Sequence, residues 1–432
     1  MKWPWNRANS EDSAEKRLWY PSWGQIDPNR IQATIEMLTT FGTRHTASSQ
    51  TDPNRGIGLA YAWVFQQMQD IAATSNGNMT VQQQTFVQQP VPGRLANPTS
   101  ITNTIATLQG TASPQRFYVV TGHLDSRVTD LLNFTDDAPG ADDDGSGVAC
   151  VLELARLFAT RQFPGTIVFA AVSGEEEGLF GSSFMAQQMK SADNDVQGMF
   201  SNDIIGTGDA HDGTKPDPFT VRMFLEGIPT AVTPGGISLM QAVGGENDGL
   251  SRQLGRYVNS VAPFNLTGMN IRLIWRRDRY LRASDHVSFQ GRGYAAARFT
   301  EPRENFNHEH QNTQVVNGVQ LGDLIQYVDF SYIARVTGVN AAARFTEPRE
   351  NFNHEHQNTQ VVNGVQLGDL IDFVDFDYIA RVTGVNAAAL WGLASSPGTP
   401  KNARIHTTPP GTFEDHVKDM AMWGAAGQPC PK

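Results

Sequence analysis

A strand that is apolar on both faces runs directly into three acidic residues. Residues 166–172 read TIVFAAV, and the next six residues read SGEEEG. A strand without polar alternation fits the interior of a parallel sheet whose two faces are covered. The carboxyl ends of such strands are where α/β folds bind ligands, and three adjacent acids repel one another unless a cation is present. The sequence therefore predicts a three-layer α/β/α fold around a mixed, mostly parallel sheet, with a cation site at the end of this strand.

Two other strings place ligand-type residues beside predicted elements. Residues 115–121 form a β-branched and aromatic run that leads into GHLD, so His123 and Asp125 point the same way beyond a strand end. In that geometry Asp125 can hold the second imidazole nitrogen of a metal-bound His123. Residues 142–144 are three aspartates before a helical pattern. Helix capping explains one or two of these aspartates but not all three.

Apolar periodicity predicts alternating helices and strands along the chain. Predicted helices cover residues 29–40, 56–71 and 248–261, together with one that follows the aspartates. Predicted strands cover residues 80–88, 100–108, 115–121, 166–172 and 271–275, together with the string AAARF from residue 295.

The candidate ligands suit one class of metal. Two histidines and three carboxylates, with no cysteine, suit zinc, and one carboxylate that bridges two ions gives a two-metal hydrolase. The candidate side chains are His123, Asp143, Glu175, Glu176, Asp203 and a histidine of the string NFNHEHQ. In the pair Glu175 and Glu176, a metal occupies one carboxylate and the other stays free to act as a base.

These strings resemble those of the co-catalytic zinc exopeptidases. That family is typified by secreted bacterial leucine aminopeptidases and includes glutamate carboxypeptidases and glutaminyl cyclases. The matching strings occur in family order between about residues 41 and 395, and they are GHLD, APGADDDGSG, GEEEGLFGS, Asp203, SDH at 284–286 and FTEPRENFNHEHQ. The resemblance implies two zinc ions bridged by Asp143. It also implies that the HEH histidine and Glu176 complete one site, and that His123 and Asp203 complete the other.

The resemblance further implies an activity and its accessory residues. The expected activity is that of an aminopeptidase acting on peptides, in which Glu175 activates a metal-bridging water, while Asp285 and His286 belong to the substrate pocket. A carboxypeptidase or a glutaminyl cyclase on the same fold is the alternative. Where some relatives carry a tyrosine beside the last ligand, this chain has Glu309 or Glu355. Four arginines at 276, 277, 279 and 282 could bind a substrate carboxylate, although a solvated strand end is the favoured interpretation.

A tandem repeat complicates the choice of the last ligand. Residues 295–340 recur as 341–386 with only three differences. Two nearly identical copies indicate a duplication and not a solenoid. We take His310 as the ligand and His356 as its duplicate candidate, because the first copy follows residues 284–286 through a short turn. The extra segment is expected on the surface or exchanged between two chains, and a catalytically impaired binding protein is the alternative of another class.

Composition excludes several other functions and divides the chain. A net charge of −11 without a basic stripe argues against nucleic acid, and no apolar run approaches the roughly 18 residues of a membrane helix. Two cysteines give no disulfide framework. The resemblance suggests a secreted or periplasmic protein, whereas the first residues lack the apolar core of a signal peptide. The predicted organisation is an extension at 1–25, a catalytic domain at 26–396 and a proline-rich tail at 397–432.

Overall fold

An eight-stranded sheet forms the centre of the protein. The computed structural model describes residues 25–345, apart from 210–213, 244, 263 and 279–282, and the backbone of 360–362 and 365–367. In chain order, the strands of the sheet are β1 (Met79–Gln88), β2 (Thr99–Leu108), β3 (Ser113–His123), β4 (Gly165–Val172), β5 (Asp195–Asn202), β6 (Thr220–Leu225), β7 (Asn270–Ile274) and β8 (Ala296–Thr300). Across the sheet they follow the order β1-β2-β4-β3-β5-β8-β6-β7.

The middle of the sheet is parallel and its flanks are mixed. Strands β4, β3, β5 and β8 run parallel to one another, whereas β2 pairs antiparallel with both β1 and β4. At the other flank, β6 is antiparallel to β8 and parallel to β7. The strand predicted at 166–172 is therefore interior, as expected, but only one of its two neighbours is parallel to it. All eight residues of β4 are buried, which explains the absence of polar alternation.

Helices cover both faces of the sheet, as the sequence predicts. They are α1 (Pro28–Thr40), α2 (Ile57–Ala73), α3 (Gly145–Ala159), α4 (Phe180–Ser191), α5 (Pro234–Val243), α6 (Leu250–Val261), α7 (Phe264–Thr267), α8 (His286–Gln290) and α9 (Phe330–Phe345). The larger hydrophobic core packs α1, α2, α3, α6 and α9 against one face, and the smaller core packs α4 and α8 against the other. Among the described residues, no helix has both the length and the apolar character that crossing a membrane requires.

Helix α3 is the best-buried helix and carries the aspartate triplet at its start. Every residue of α3 except Arg156 is buried, because the helix packs against β3 on one side and against α1 and α9 on the other. Asp144 is its N-cap, and the Asp144 side chain accepts a hydrogen bond from the Gly147 amide at 2.9 Å. The triplet is thus held at a fixed place beside the end of β3.

A short hairpin forms in both copies of the repeat. In the first copy, β9 (Gln314–Val316) and β10 (Val319–Leu321) pair antiparallel around Asn317 and Gly318, whose φ angles are +52° and +80°. Such positive φ angles are typical of Asn-Gly hairpin turns. Residues 349–432 form a separate compact unit, whose described part consists of β11 (Gln360–Val362) and β12 (Val365–Leu367). These strands pair in the equivalent register.

Another shared string takes two different structures. Residues 296–299 of the first copy read AARF and belong to β8, between β5 and β6. The same letters at residues 342–345 form the last turn of α9. Most of this closing helix comes from the first copy, and Ala341, Ala342 and Ala343 extend it into the core. The second copy therefore does not supply the start of the helix.

Candidate metal centre

Three neighbouring parallel strands end at one edge of the sheet and position the candidate ligands. His123 is the last residue of β3, Glu175 and Glu176 follow β4, and Asp203 comes directly after β5. Asp143 lies two residues before α3, which packs on β3. Because β4, β3 and β5 are adjacent, these side chains converge, although they are far apart in sequence.

Asp143 lies between two histidines. His123 Nε2 is 3.0 Å from Asp143 Oδ1 and 3.8 Å from Asp203 Oδ1. On the opposite side, His310 Nε2 is 2.6 Å from Asp143 Oδ2 and 3.2 Å from Glu176 Oε1. Each oxygen of Asp143 therefore faces a different histidine, and each histidine has a second carboxylate beside it. The structure brings His310 into this centre, whereas His356 lies outside the described residues.

Two carboxylates outside the ligand set hold Asp143 in place. Asp323 accepts hydrogen bonds from the amides of Asp142 and Asp143, the latter at 2.7 Å. Asp144 accepts from the His123 amide at 2.8 Å, so the helix cap also fixes the end of β3. Asp323 was not predicted, because an aspartate 180 residues away along the chain has no local signal that connects it with Asp143.

A buried arginine supports the loops around the aspartates. Arg44 is fully buried and donates to the carbonyl oxygens of Leu124 at 2.8 Å, Pro139 at 2.5 Å and Gly140 at 2.9 Å. Burial lowers the pKa of Arg44 to about 10, against the opposing field of Asp323, so the guanidinium stays charged at neutral pH. Arg44 therefore connects the segment after α1 to the segments on both sides of the metal centre.

Replacing Arg44 with methionine is expected to destabilise the fold strongly. The change leaves several buried carbonyl groups without donors, and each such group costs about 1–3 kcal/mol, so we expect a loss of roughly 3–5 kcal/mol. Chemical denaturation measures this difference. The matched control is Arg55→Met, because Arg55 pairs with Asp137 at the surface and such pairs contribute about 1 kcal/mol or less. Equal losses in both variants would contradict a supporting role for Arg44.

The hydrogen bonds of His123 fit a bound cation. His123 Nδ1 lies 3.0 Å from the backbone oxygen of Asp125, and because a carbonyl only accepts, Nδ1 carries the proton. The lone pair of a neutral ring then points from Nε2 towards Asp143 and Asp203. Among the described residues, Asp143 Oδ1 and Glu176 Oε1 are buried without a hydrogen-bond partner. The ligand atoms of His123, Asp143 and Asp203 lie within 4.8 Å of one another, which fits a zinc ion between them.

Asp125 supports the centre in a different way from the one expected. Its carboxylate Oδ1 is 3.7 Å from His123 Nδ1, so the hydrogen bond to the imidazole is made by the backbone oxygen instead. The other carboxylate oxygen accepts from the Glu176 amide at 3.1 Å and from the Thr46 hydroxyl at 3.2 Å. The side chain of Asp125 therefore positions the loop after β4, and its main chain orients the histidine.

Burial and close charges shift the pKa values of these groups. Burial works to raise the pKa of Asp143, but His310 and His123 outweigh it and hold this pKa well below its usual range. Burial works to lower the pKa of His123, but Asp144 and Asp143 raise it well above its usual value. For Glu175, burial raises the pKa well above its usual value, and the Asp203 carboxylate adds to the shift against the field of His123. Positive charge in the centre counteracts such an upward shift.

A cavity of about 360 Å³ opens onto the centre. Its wall contains the carboxylates of Asp143, Glu175, Glu176 and Asp203, together with His310, Glu309 and three arginines. Glu175 lines this cavity, but the carboxylates beside His123 and His310 are those of Asp143, Asp203 and Glu176. The Glu175 carboxylate is therefore placed to meet a molecule in the cavity, and it is not needed as a metal ligand.

Two arginines contact the ligands, and neither was predicted. Arg298, on β8, donates to Asp203 Oδ1 at 2.9 Å and is 2% exposed. Arg127 donates from Nε to Glu176 Oε2 at 2.8 Å and from its terminal nitrogen to His310 Nδ1 at 2.5 Å. A His310 ring that binds a metal through Nε2 needs a proton on Nδ1, so the contact with Arg127 has to open. Glu309, whose Oε1 is 3.9 Å from Nδ1, lies beside this ring, and ligand-type atoms of Asp143, Glu309 and His310 are within 4.8 Å of one another.

Asp285 and His286 are buried and are not among the described residues that line the cavity, so their place in the substrate pocket stays a prediction. His286 begins α8 and is fully buried, with Nε2 at 2.6 Å from the Arg277 backbone oxygen. Burial raises the pKa of Asp285 to about 7. From this segment it is Ala283 that reaches the cavity. Of the four arginines predicted as a cluster, Arg276 and Arg277 are exposed and absent from the cavity wall, and the other two lie outside the described residues.

Comparisons with known proteins agree with this arrangement. Residues 103–328 match the model of peptidase family M28. A protein of Pyricularia oryzae named "Probable zinc metalloprotease" is 50% identical over 320 residues, which cover 73% of this chain and 63% of that relative. The chain thus spans less than two thirds of the length of this relative.

Solved structures share the fold at low identity. The LapA aminopeptidase of Legionella pneumophila superposes with a TM-score of 0.53 at 17% identity, over 76% of this chain and 74% of that one. The glutaminyl cyclase of Fimbriiglobus ruber superposes with a TM-score of 0.52 at 17% identity, over 74% of this chain and 95% of that one. The family match covers more than half of the chain and includes His123, Asp143, Glu175, Glu176, Asp203 and His310. From its sequence, its sheet and these comparisons, the chain belongs to peptidase family M28.

Proposed function

We propose that this protein is a zinc-dependent metallo-exopeptidase, and specifically an aminopeptidase. The observation that carries the proposal is the placement of Asp143 between His123 and His310, with each of its oxygens towards one ring. Asp203 completes the site of His123, and Glu176 completes the site of His310. If both sites share Asp143, each site has one nitrogen donor and two oxygen donors. This donor set suits zinc.

Glu175 is the proposed general base. When bound, a pair of zinc ions polarises the scissile carbonyl and lowers the pKa of a water molecule. Glu175 lines the same cavity as Asp143, whereas Asp203 and Glu176 lie beside His123 and His310. The Glu175 carboxylate can accept the proton of the attacking water and later donate it to the leaving amine.

A substrate panel tests the exopeptidase and its direction. We expect leucyl-glycine and leucyl amides to be cleaved by the zinc-loaded protein, and acetyl-leucyl-glycine to resist cleavage because its amino group is blocked. Cleavage of the acetylated peptide with no cleavage of leucyl amides would identify a carboxypeptidase instead. Because residues 295–340 are duplicated, zinc analysis is the first control, and about two ions per chain are expected.

A glutaminyl cyclase is the second candidate. The fold similarity to the cyclase of Fimbriiglobus ruber favours its inclusion. A glutaminyl peptide distinguishes the two activities, since cyclisation releases ammonia and leaves the peptide bond intact, whereas hydrolysis releases free glutamine. Ammonia release with a single bound zinc ion would replace the aminopeptidase proposal.

The two repeat histidines are expected to differ in their effect on zinc. His310→Ala should lower zinc content, because its Nε2 lies within 3.2 Å of both Asp143 and Glu176. His356→Ala should leave zinc content unchanged. Elemental analysis of the two purified variants measures the difference, with each variant as the control of the other. Full zinc loss from His356→Ala, with none from His310→Ala, would assign the ligand to the second copy.

A further inference from the structure

A second cavity adjoins the cavity of the metal centre. It measures about 260 Å³ and is lined by residues from 45–50, 94–100 and 132–134. The two cavities share one residue, Arg94, and one loop. In that loop Leu131 lines the metal-centre cavity, whereas Leu132 and Phe134 line the second one. Leu132 and Phe134 are 45% and 43% exposed, so the second cavity has an open apolar rim.

The backbone of Arg94 is held in place by a tight turn. Val91 and Leu95 exchange two hydrogen bonds of 2.9 Å, and the Arg94 amide donates to the Val91 oxygen at 3.0 Å. Gly93 has a φ of +74°, which this turn requires. Leu95 is only 1% exposed and anchors the turn in the core, whereas Arg94 itself is exposed. The turn therefore fixes the position of the Arg94 backbone, and the Arg94 guanidinium lies at the boundary of the two cavities.

Arg94 differs from the other arginines of the cavity wall. Arg127 is paired with Glu176, and Arg298 is paired with Asp203. Within the part of the chain that the structure describes, the Arg94 guanidinium makes no hydrogen bond or ion pair. A cation at the edge of a cavity, with no carboxylate of its own, is suited to bind a carboxylate of a ligand.

We propose that Arg94 binds a carboxylate of the substrate on the far side of the scissile bond, with the second cavity holding the adjoining side chain. This inference rests on the proposed function. If the amino-terminal residue of the substrate occupies the metal-centre cavity, the rest of the peptide extends out of this cavity. Arg94 lies where the second cavity begins. The carboxylate has two sources, the carboxyl terminus of a short peptide or an acidic side chain.

Hydrolysis by the zinc-loaded full chain tests the proposal on matched substrates. Leucyl-glycine carries a terminal carboxylate, leucyl-glycine amide carries none, and leucyl-glutamate amide carries one only on its side chain. We expect one or both carboxylate substrates to have a KM roughly tenfold lower than the neutral amide, a typical size for a charge-assisted contact. Arg94→Gln should remove this advantage, so that the acids and the neutral amide have similar KM values, and Arg94→Lys should keep part of it. Arg116→Gln, an exposed arginine at the other end of β3, controls for the change in net charge.

A binding measurement separates this inference from the proposed function. A leucyl-glycine analogue with a reduced scissile bond is not hydrolysed, and its free acid and its amide can be titrated calorimetrically into wild-type protein and Arg94→Gln. Tighter binding of the acid that is lost in Arg94→Gln supports the inference even if no peptide is turned over, in which case the aminopeptidase proposal fails alone. Equal affinity of the wild type for acid and amide would overturn the role of Arg94. An equal loss of affinity for the acid and the amide in Arg94→Gln would also overturn this role.

Discussion

Replacing Glu175 with glutamine is expected to lower kcat by about two orders of magnitude or more, the usual contribution of a positioned base. Glutamine keeps the size of the side chain but cannot accept the proton of the attacking water. Zinc content should stay at the wild-type level, because the carboxylates beside the two histidines are those of Asp143, Asp203 and Glu176. Steady-state kinetics on leucyl-glycine, with zinc analysis of the same sample, measures both properties.

The pattern of kinetic constants distinguishes a base from a binding residue. Loss of a base lowers kcat with little change in KM, whereas loss of a substrate contact raises KM. Turnover at the wild-type level in Glu175→Gln would show that another group takes the proton. A loss of zinc in the same variant would instead reveal an unrecognised ligand.

Replacing Asp143 with asparagine is expected to release zinc from both halves of the centre and to abolish activity. The two carboxylate oxygens face His123 and His310, so one neutral amide weakens both halves. Replacement of outer residues around metal ligands already costs 10–100-fold in affinity, so we expect a loss of more than about 100-fold here. Competition with a zinc chelator of known affinity measures it.

Asp142→Asn is the matched control for this variant. Asp142 is the preceding residue, but its side chain accepts from the Gly206 amide at 2.7 Å and does not face the two histidines. An asparagine oxygen can accept the same hydrogen bond, so zinc affinity should stay close to that of the wild type. Similar zinc loss in both variants would indicate a collapse of the loop and not the removal of a bridging ligand.

Local chemistry alone explains some elements of this protein. The strings QVV and VQL, separated by Asn-Gly, pair in the equivalent register in both copies of the repeat, although the two hairpins belong to different compact units. The turn favours this hairpin wherever it occurs, because Asn and Gly adopt positive φ at little cost. The strand β4 and the helix α3 were also predictable, since the first is apolar throughout and the second follows helical spacing.

Other elements depend on their surroundings. The string AARF is a strand at 296–299 and helical at 342–345, so its own letters do not specify a structure. In the first copy, hydrogen bonds to β5 and β6 on either side favour the extended form. In the second copy, the string continues an established helix, and its alanines favour propagation and fit the core.

The sequence by itself determined the mixed, mostly parallel α/β fold and the kinds of ligand at the candidate centre, because each ligand string follows a strand or precedes a helix that local patterns reveal. Only the tertiary structure placed His310 beside Asp143. It alone also revealed the supporting contacts of Arg44, Arg127, Arg298 and Asp323. These contacts join residues that are distant along the chain, and their geometry depends on how the strands are ordered in the sheet, which no local pattern encodes.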